Sequence, residues 1–149
     1  MSKRSRCILR MIEFHFKSDL ILNYITNYSD WITRILESED YTLGQLDYIF
    51  CTDDYLLELN RQYLNHDTLT DIITFDYSDG STISGDVFIS TERVSENANN
   101  YGVDFDNELL RVMSHGVLHL MGYGDKTDSE VKLMREKEEE KIKMFHVEP

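Results

Sequence analysis

The order of apolar and polar positions along the chain divides it into alternating strands and helices. Residues 10–16 alternate, with Ile12, Phe14 and Phe16 on one face, which predicts a strand. Ile21, Tyr24, Ile25, Tyr28, Trp31, Ile32 and Ile35 then recur at helical spacing, and Ser18 is placed to cap that helix. Tyr48–Cys51 is a short apolar strand. Asp53 stands at the N-cap position before Leu56, Leu59 and Tyr63. "DIITFDY" (71–77) and "GDVFIS" (85–90) are β-branched and aromatic, and "SDGSTIS" between them carries a hairpin or short-loop signal. Helices are predicted over 91–100, 106–121 and 128–145. The second is apolar around most of its circumference, which predicts a central, buried helix. The third is dense in Glu and Lys and predicts a solvated face. Four strands and about five helices make an α+β domain, with a small mixed four-stranded sheet and one domain over 1–149.

Composition narrows the class. A hydrophobic content of 41% is that of a chain with a core. Cys7 and Cys51 stand far apart and outside any CxxC pattern, which predicts a reduced, cytoplasmic setting. No apolar run approaches the roughly 18 residues of a membrane span, so no membrane partner is expected. Met1 and Met11 are both compatible with the native start, and residues 1–10 are expected to be a disordered extension. The formal net charge of −13 argues against bare nucleic acid as a long-range partner, while leaving room for a local basic groove.

The densest chemistry is "HGVLHLMGYGD", residues 115–125. His115 and His119 are i and i+4, so on a helix they project from one face, one turn apart. Gly122 follows three residues later, where a helix must stop and the chain reverse. Asp125 comes three residues after that. HxxxHxxGxxD has the spacing of a motif in which a helix gives two metal ligands and the returning chain a third. Three protein ligands with a fourth position open describe a catalytic zinc site. Gly116 occupies the position where zinc proteases of this spacing carry their glutamate base, which argues against a peptidase. A glycine there also permits a backbone or a substrate to approach the helix closely. Glu108, two turns before His115, is a candidate to orient that imidazole.

"HGVLHLMGYGD" followed by "KLMREKEEE" resembles the YbeY family of bacterial endoribonucleases, whose signature reads HGxLHLxGYDH. His115, Gly116, Leu118, His119, Leu120, Gly122 and Tyr123 stand on matching positions, and Met134 and Glu138 fit the helix that follows. Upstream, Asn60, Tyr63, Asp67, Thr70, Asp71 and Phe75 resemble the family's NxxYRxxDxPTDVLSF segment. Gly85, Asp86, Ile89 and Ser90 resemble its GDIxIS strand.

The resemblance implies an α/β/α fold and one zinc ion per chain. It implies single-strand-specific RNA cleavage in ribosomal RNA maturation, at the 16S rRNA 3′ end, and in ribosome quality control. Ribosomal RNA and small-subunit ribosomal proteins are the implied partners, and no nucleotide cofactor is expected. Two positions depart from the family pattern. The third ligand histidine falls on Asp125, which gives His115, His119 and Asp125 as the expected metal ligands. The arginine after the family tyrosine falls on Leu64, with Arg61 one turn earlier as a candidate replacement. Asp86 and Asp71 are the candidate general bases, and His66 a loop histidine within possible reach of the site. Tyr63, Tyr77 and Tyr123 are candidates to stack on unpaired bases. The alternative reading is a ribosome-assembly factor that docks on basic proteins and keeps a weakly active or structural metal site.

Overall fold

The computed structural model describes residues 11–64 and 70–147. Among them, β1 (Met11–Phe16), β2 (Thr42–Cys51), β3 (Ile72–Asp76) and β4 (Thr82–Ser90) form one sheet in the order β1-β2-β4-β3. β1, β2 and β4 run parallel, and β3 is antiparallel to β4. Parallel neighbours need a crossover, which helices supply, whereas β3 and β4 are joined by a tight turn. The helices are α1 (Ile25–Ser38), α2 (Asp53–Leu64), α3 (Thr91–Tyr101), α4 (Phe105–Leu120) and α5 (Asp128–Phe145). The mixed four-stranded sheet and five helices are those expected, in an α/β/α arrangement. Residues 1–10, and with them Cys7, lie outside the described residues, as do His66 and Asp67.

The larger core lies between one sheet face and helices α1, α3, α4 and α5. Trp31, Ile35, Tyr48, Phe50, Val87, Leu109, Val117 and Met134 belong to it. α4 is buried along most of its length, as its sequence predicts. The second face is covered by α2 near one end, where Leu56 packs on Cys51 and Ile73. Burial, and then the Asp53 charge, push the Cys51 thiol up to about 12, so it is an inert packing group.

Several boundaries move for identifiable reasons. β2 begins at Thr42, six residues before the apolar run at Tyr48. The ladder there continues through polar residues around a register shift between Leu43 and Leu46. α1 begins at Ile25, after Tyr24 in a left-handed conformation (φ 57°). Ser18 accepts a local hydrogen bond from the Leu20 amide (3.4 Å) and caps no helix. At the start of α2, Thr52 Oγ1 accepts from the Tyr55 amide (3.2 Å), while Asp53 is bonded to Ser90 and Arg93. α5 is not merely a solvated helix. Glu138 and Lys141 are 1% and 0% exposed, and each has charged partners on other elements.

Gly116 serves the packing of α4 on the sheet. A Cβ there would lie 2.7 Å from Val87 Cγ1 and 3.0 Å from Ile72 Cδ1. The close approach is by the protein's own sheet, not by a substrate. Gly116→Ala should therefore destabilise the fold by about 1–3 kcal/mol, despite alanine's better helix propensity. Urea unfolding would measure it, and a variant as stable as the parent would refute this packing account.

Candidate metal centre and its cleft

The end of α4 explains how Asp125 returns to the histidines. The Tyr123 amide donates to Leu118 O (3.1 Å) and the Gly122 amide to His119 O (3.0 Å), the paired bonds of a Schellman motif. The motif needs a residue at positive φ, and Gly122 supplies it at 103°. The chain then reaches the start of α5, where Thr127 and Glu130 form a capping box. Glu130 Oε1 also accepts from the Lys126 amide at 3.0 Å. Asp125 is thus held between a fixed helix end and a fixed helix start.

Its Oδ2 lies 3.3 Å from His115 Nε2 and 3.3 Å from His119 Nε2. The other ring nitrogens are engaged. His119 Nδ1 lies 2.8 Å from Tyr123 O, a carbonyl that can only accept, so Nδ1 carries the proton. His115 Nδ1 lies 2.6 Å from Glu138 Oε2, on a carboxylate 1% exposed. Both imidazoles therefore present Nε2 to Asp125, the ring atom left to take a cation.

This donor set fits a divalent cation. All three ligand atoms lie within 4.8 Å of one another. Tetrahedral donors about 2.0–2.1 Å from zinc stand roughly 3.3–3.4 Å apart, which is the spacing of Asp125 from each histidine. Neutral imidazole nitrogens and a carboxylate oxygen are also the ligand types zinc takes.

Behind the histidines lies a charged network that sequence reasoning missed. Arg111 Nη2 is 2.7 Å from Glu108 Oε2 and 3.5 Å from Asp71 Oδ2, and its Nη1 is 3.5 Å from Glu138 Oε1. Burial favours loss of the Arg111 proton, but the hydrogen bonds and charge of Glu108, with the charges of Glu138 and Asp71, outweigh it and raise the pKa above the usual guanidinium value. Glu138, not Glu108, is the acceptor that orients His115. Glu108 instead holds Arg111, one turn along the same helix. The (i, i+3) pair Glu108–Arg111 was visible in the sequence; the contact between Glu138 and His115, across 23 positions, was not.

A second network pins the ligand loop from the other side. Tyr123 Oη donates to Glu39 Oε1 (2.7 Å), and Lys141 and Lys137 bond Glu39 Oε2 at 2.7 and 2.9 Å. Burial opposes ionisation of Glu39, yet these three hydrogen bonds outweigh it and bring the carboxyl from 4.5 to about 2. A carboxyl with a lowered folded pKa stabilises the fold above its unfolded pKa, and the contribution disappears as pH falls through the folded value. Glu39 should thus contribute on the order of 2 kcal/mol at neutral pH, lost between about pH 4.5 and pH 2. Comparing wild type with Glu39→Gln by urea unfolding tests it. A stability difference that stays constant over that window would contradict the ionic role.

The histidines open onto a cleft of about 580 Å³, lined also by Asn60, Leu64, Tyr101, Lys126 and Arg135. The remaining site candidates fall in several places. Asp71 lines the cleft, with its carboxylate directed to Arg111. Asp86 does not reach it. Val87 faces α4, so its neighbour Asp86 projects from the opposite side of the sheet. There Asp86 shares a groove with Glu13, His15 and Asp47, and burial followed by the Asp47 charge raises its pKa. Arg61 lies 3.9 Å from Glu58 and is not among the described residues lining the cleft, whereas Leu64 is. Of the tyrosines proposed to stack on bases, Tyr123 is bonded to Glu39, Tyr77 lies 3.4 Å from Asp86 on the far face, and Tyr63 packs edge-on to Phe75. Tyr101, which sequence reasoning did not single out, lines the cleft and is 58% exposed.

A family model described as Endoribonuclease YbeY matches residues 14–146. The chain belongs to the YbeY family. It is 55% identical over 137 residues to the endoribonuclease YbeY of Flavobacterium psychrophilum, covering 92% of this chain and 98% of that one. It is 53% identical over 137 residues to the YbeY of Christiangramia forsetii, covering 92% and 96%. The solution structure of TM1509 from Thermotoga maritima superposes with a TM-score of 0.67 at 28% identity, over 91% of this chain and 89% of that one. His115 and His119, the histidines on which the resemblance rested, both line the cleft.

Proposed function

We propose that this protein is a metal-dependent endoribonuclease that hydrolyses single-stranded RNA, with one zinc ion held by His115, His119 and Asp125. The observation that carries it is the convergence of two Nε2 atoms on one carboxylate oxygen, each 3.3 Å from it, on the wall of an open cleft. A cation held there supplies Lewis acidity at a phosphodiester and acidifies water. The protein's part is to keep both histidines in one tautomer, through Glu138 and the Tyr123 carbonyl, and to hold Asp125 through the glycine turn. Asp125 in place of a third histidine adds a negative charge to the site. Through that charge Asp125 would make a bound cation less acidifying toward water than three neutral imidazoles would.

Ribosomal RNA is the proposed substrate, in maturation of the 16S 3′ end and in ribosome quality control. Small-subunit ribosomal proteins are the proposed partners. A net charge of −13 suits contact with basic proteins, and the Glu13–Asp47–Asp86 groove is an acidic surface away from the cleft. The proposed compartment is the cytoplasm. No helix among the described residues is long and apolar enough to cross a membrane.

The deciding experiment measures metal content by mass spectrometry on untagged protein, with RNA cleavage assayed before and after chelation. About one zinc per chain, and cleavage that chelation abolishes and zinc restores, supports the reading. No stoichiometric metal after chelator-free purification would sink it and leave docking as the function.

A further inference from the structure

The charge of the cleft differs from that of the chain around it. The chain carries 28 Asp and Glu against 15 Lys and Arg. Yet the described residues lining the cleft bring three cations, Arg111, Lys126 and Arg135, against two carboxylates, Asp71 and Asp125. Arg111 is occupied by Glu108, Asp71 and Glu138. Lys126 and Arg135 are exposed, and neither side chain makes an ion pair among the described residues. Lys132 and Lys143 are likewise exposed and without an ion pair, so what sets Lys126 and Arg135 apart is their place on the lining of the cleft.

The backbone of each is anchored close to the candidate metal ligands. Lys126 follows Asp125 directly, and its backbone is tied to Glu130. Arg135 follows the buried Met134 on α5, one turn before Glu138, which holds His115. Arg135 also lines a smaller cavity with Arg111, His115 and Asp125. The two cations thus reach the cleft from the ligand loop and from the helix behind it.

We propose that Lys126 and Arg135 are the phosphate-contact residues of this cleft, seating the backbone of single-stranded RNA across the metal centre. The assignment rests on the endoribonuclease reading and names which groups bind its substrate. A concave surface focuses the field of its charges, so two free cations there attract phosphate within an otherwise repelling envelope. Contacts of this kind position the strand without reading its sequence.

The test is binding of a short labelled oligouridylate to metal-loaded protein, by fluorescence anisotropy over a salt series, with RNA integrity checked after each titration. Lys126→Gln/Arg135→Gln should bind roughly tenfold more weakly, with a salt slope shallower by about 0.7 for each contact removed. Its metal content and urea midpoint should match wild type. Lys132→Gln/Lys143→Gln changes the net charge equally at exposed α5 positions outside the cleft and should cause no comparable loss. Arg135→Lys, which keeps the charge, should keep the slope. Unchanged binding in the cleft variant, or an equal loss in both double variants, would overturn the assignment. Wild type that binds without cleaving would sink the catalytic reading and leave the assignment standing. Wild type that fails to bind RNA would overturn both.

Discussion

His119→Ala is expected to lower zinc affinity at least a hundredfold and to reduce RNA cleavage in step. Loss of an outer-shell partner alone typically costs 10–100-fold, and this change removes a ligand. The fold should survive, because the side chain is 31% exposed and alanine is a good helix former. His119 also donates to the Tyr123 carbonyl, so the ligand loop loses one anchor and retains the Tyr123–Glu39 bond. Metal content and circular dichroism on the same sample separate the two effects. A well-folded variant that still carries one zinc per chain would remove His119 from the ligand set.

Arg111→Met should destabilise the protein by about 3–5 kcal/mol in urea unfolding at neutral pH. Glu108 and Glu138 are 2% and 1% exposed, and Arg111 is the guanidinium between them. Removing it leaves two desolvated carboxylates without their shared cation, Glu138 keeping only its bond to His115, and methionine restores only the packing. Adding Glu108→Gln to that variant should recover part of the loss, because one of the stranded charges disappears. A loss below about 1 kcal/mol would show that water reaches these carboxylates and that the network is weaker than its burial indicates.

Much of the candidate centre was legible in the sequence because its ligands are local. Two histidines at i and i+4, a glycine and an aspartate span 11 residues, and helix geometry with one positive-φ turn places them together. The predicted strands and helices were also found where the apolar period was unbroken, as in α4. It misled where other forces acted. Ile21 and Tyr24 continue the helical spacing, but lie outside α1 and are 80% and 78% exposed. β2 begins well before its apolar run because β4 pairs with it on one side and, from Gln45 on, β1 on the other.

The groups that surround the ligands followed a different logic. Glu138 and Lys141 belong to a helix whose composition is that of a solvated surface, and both are buried. A buried charge is tolerable only with partners, and those partners are remote: His115 and Arg111 for Glu138, Glu39 for Lys141. Asp86 was placed in the wrong groove by a similar gap, since alternation identifies two faces of a strand without saying which one meets α4. The sequence by itself determined the family, the order of the elements and the candidate metal-binding motif, since each depends on spacing along the chain. Only the tertiary structure decided which carboxylate orients His115, which cations stand free in the cleft and which candidates face away, because charge pairing and burial are settled between segments far apart in sequence.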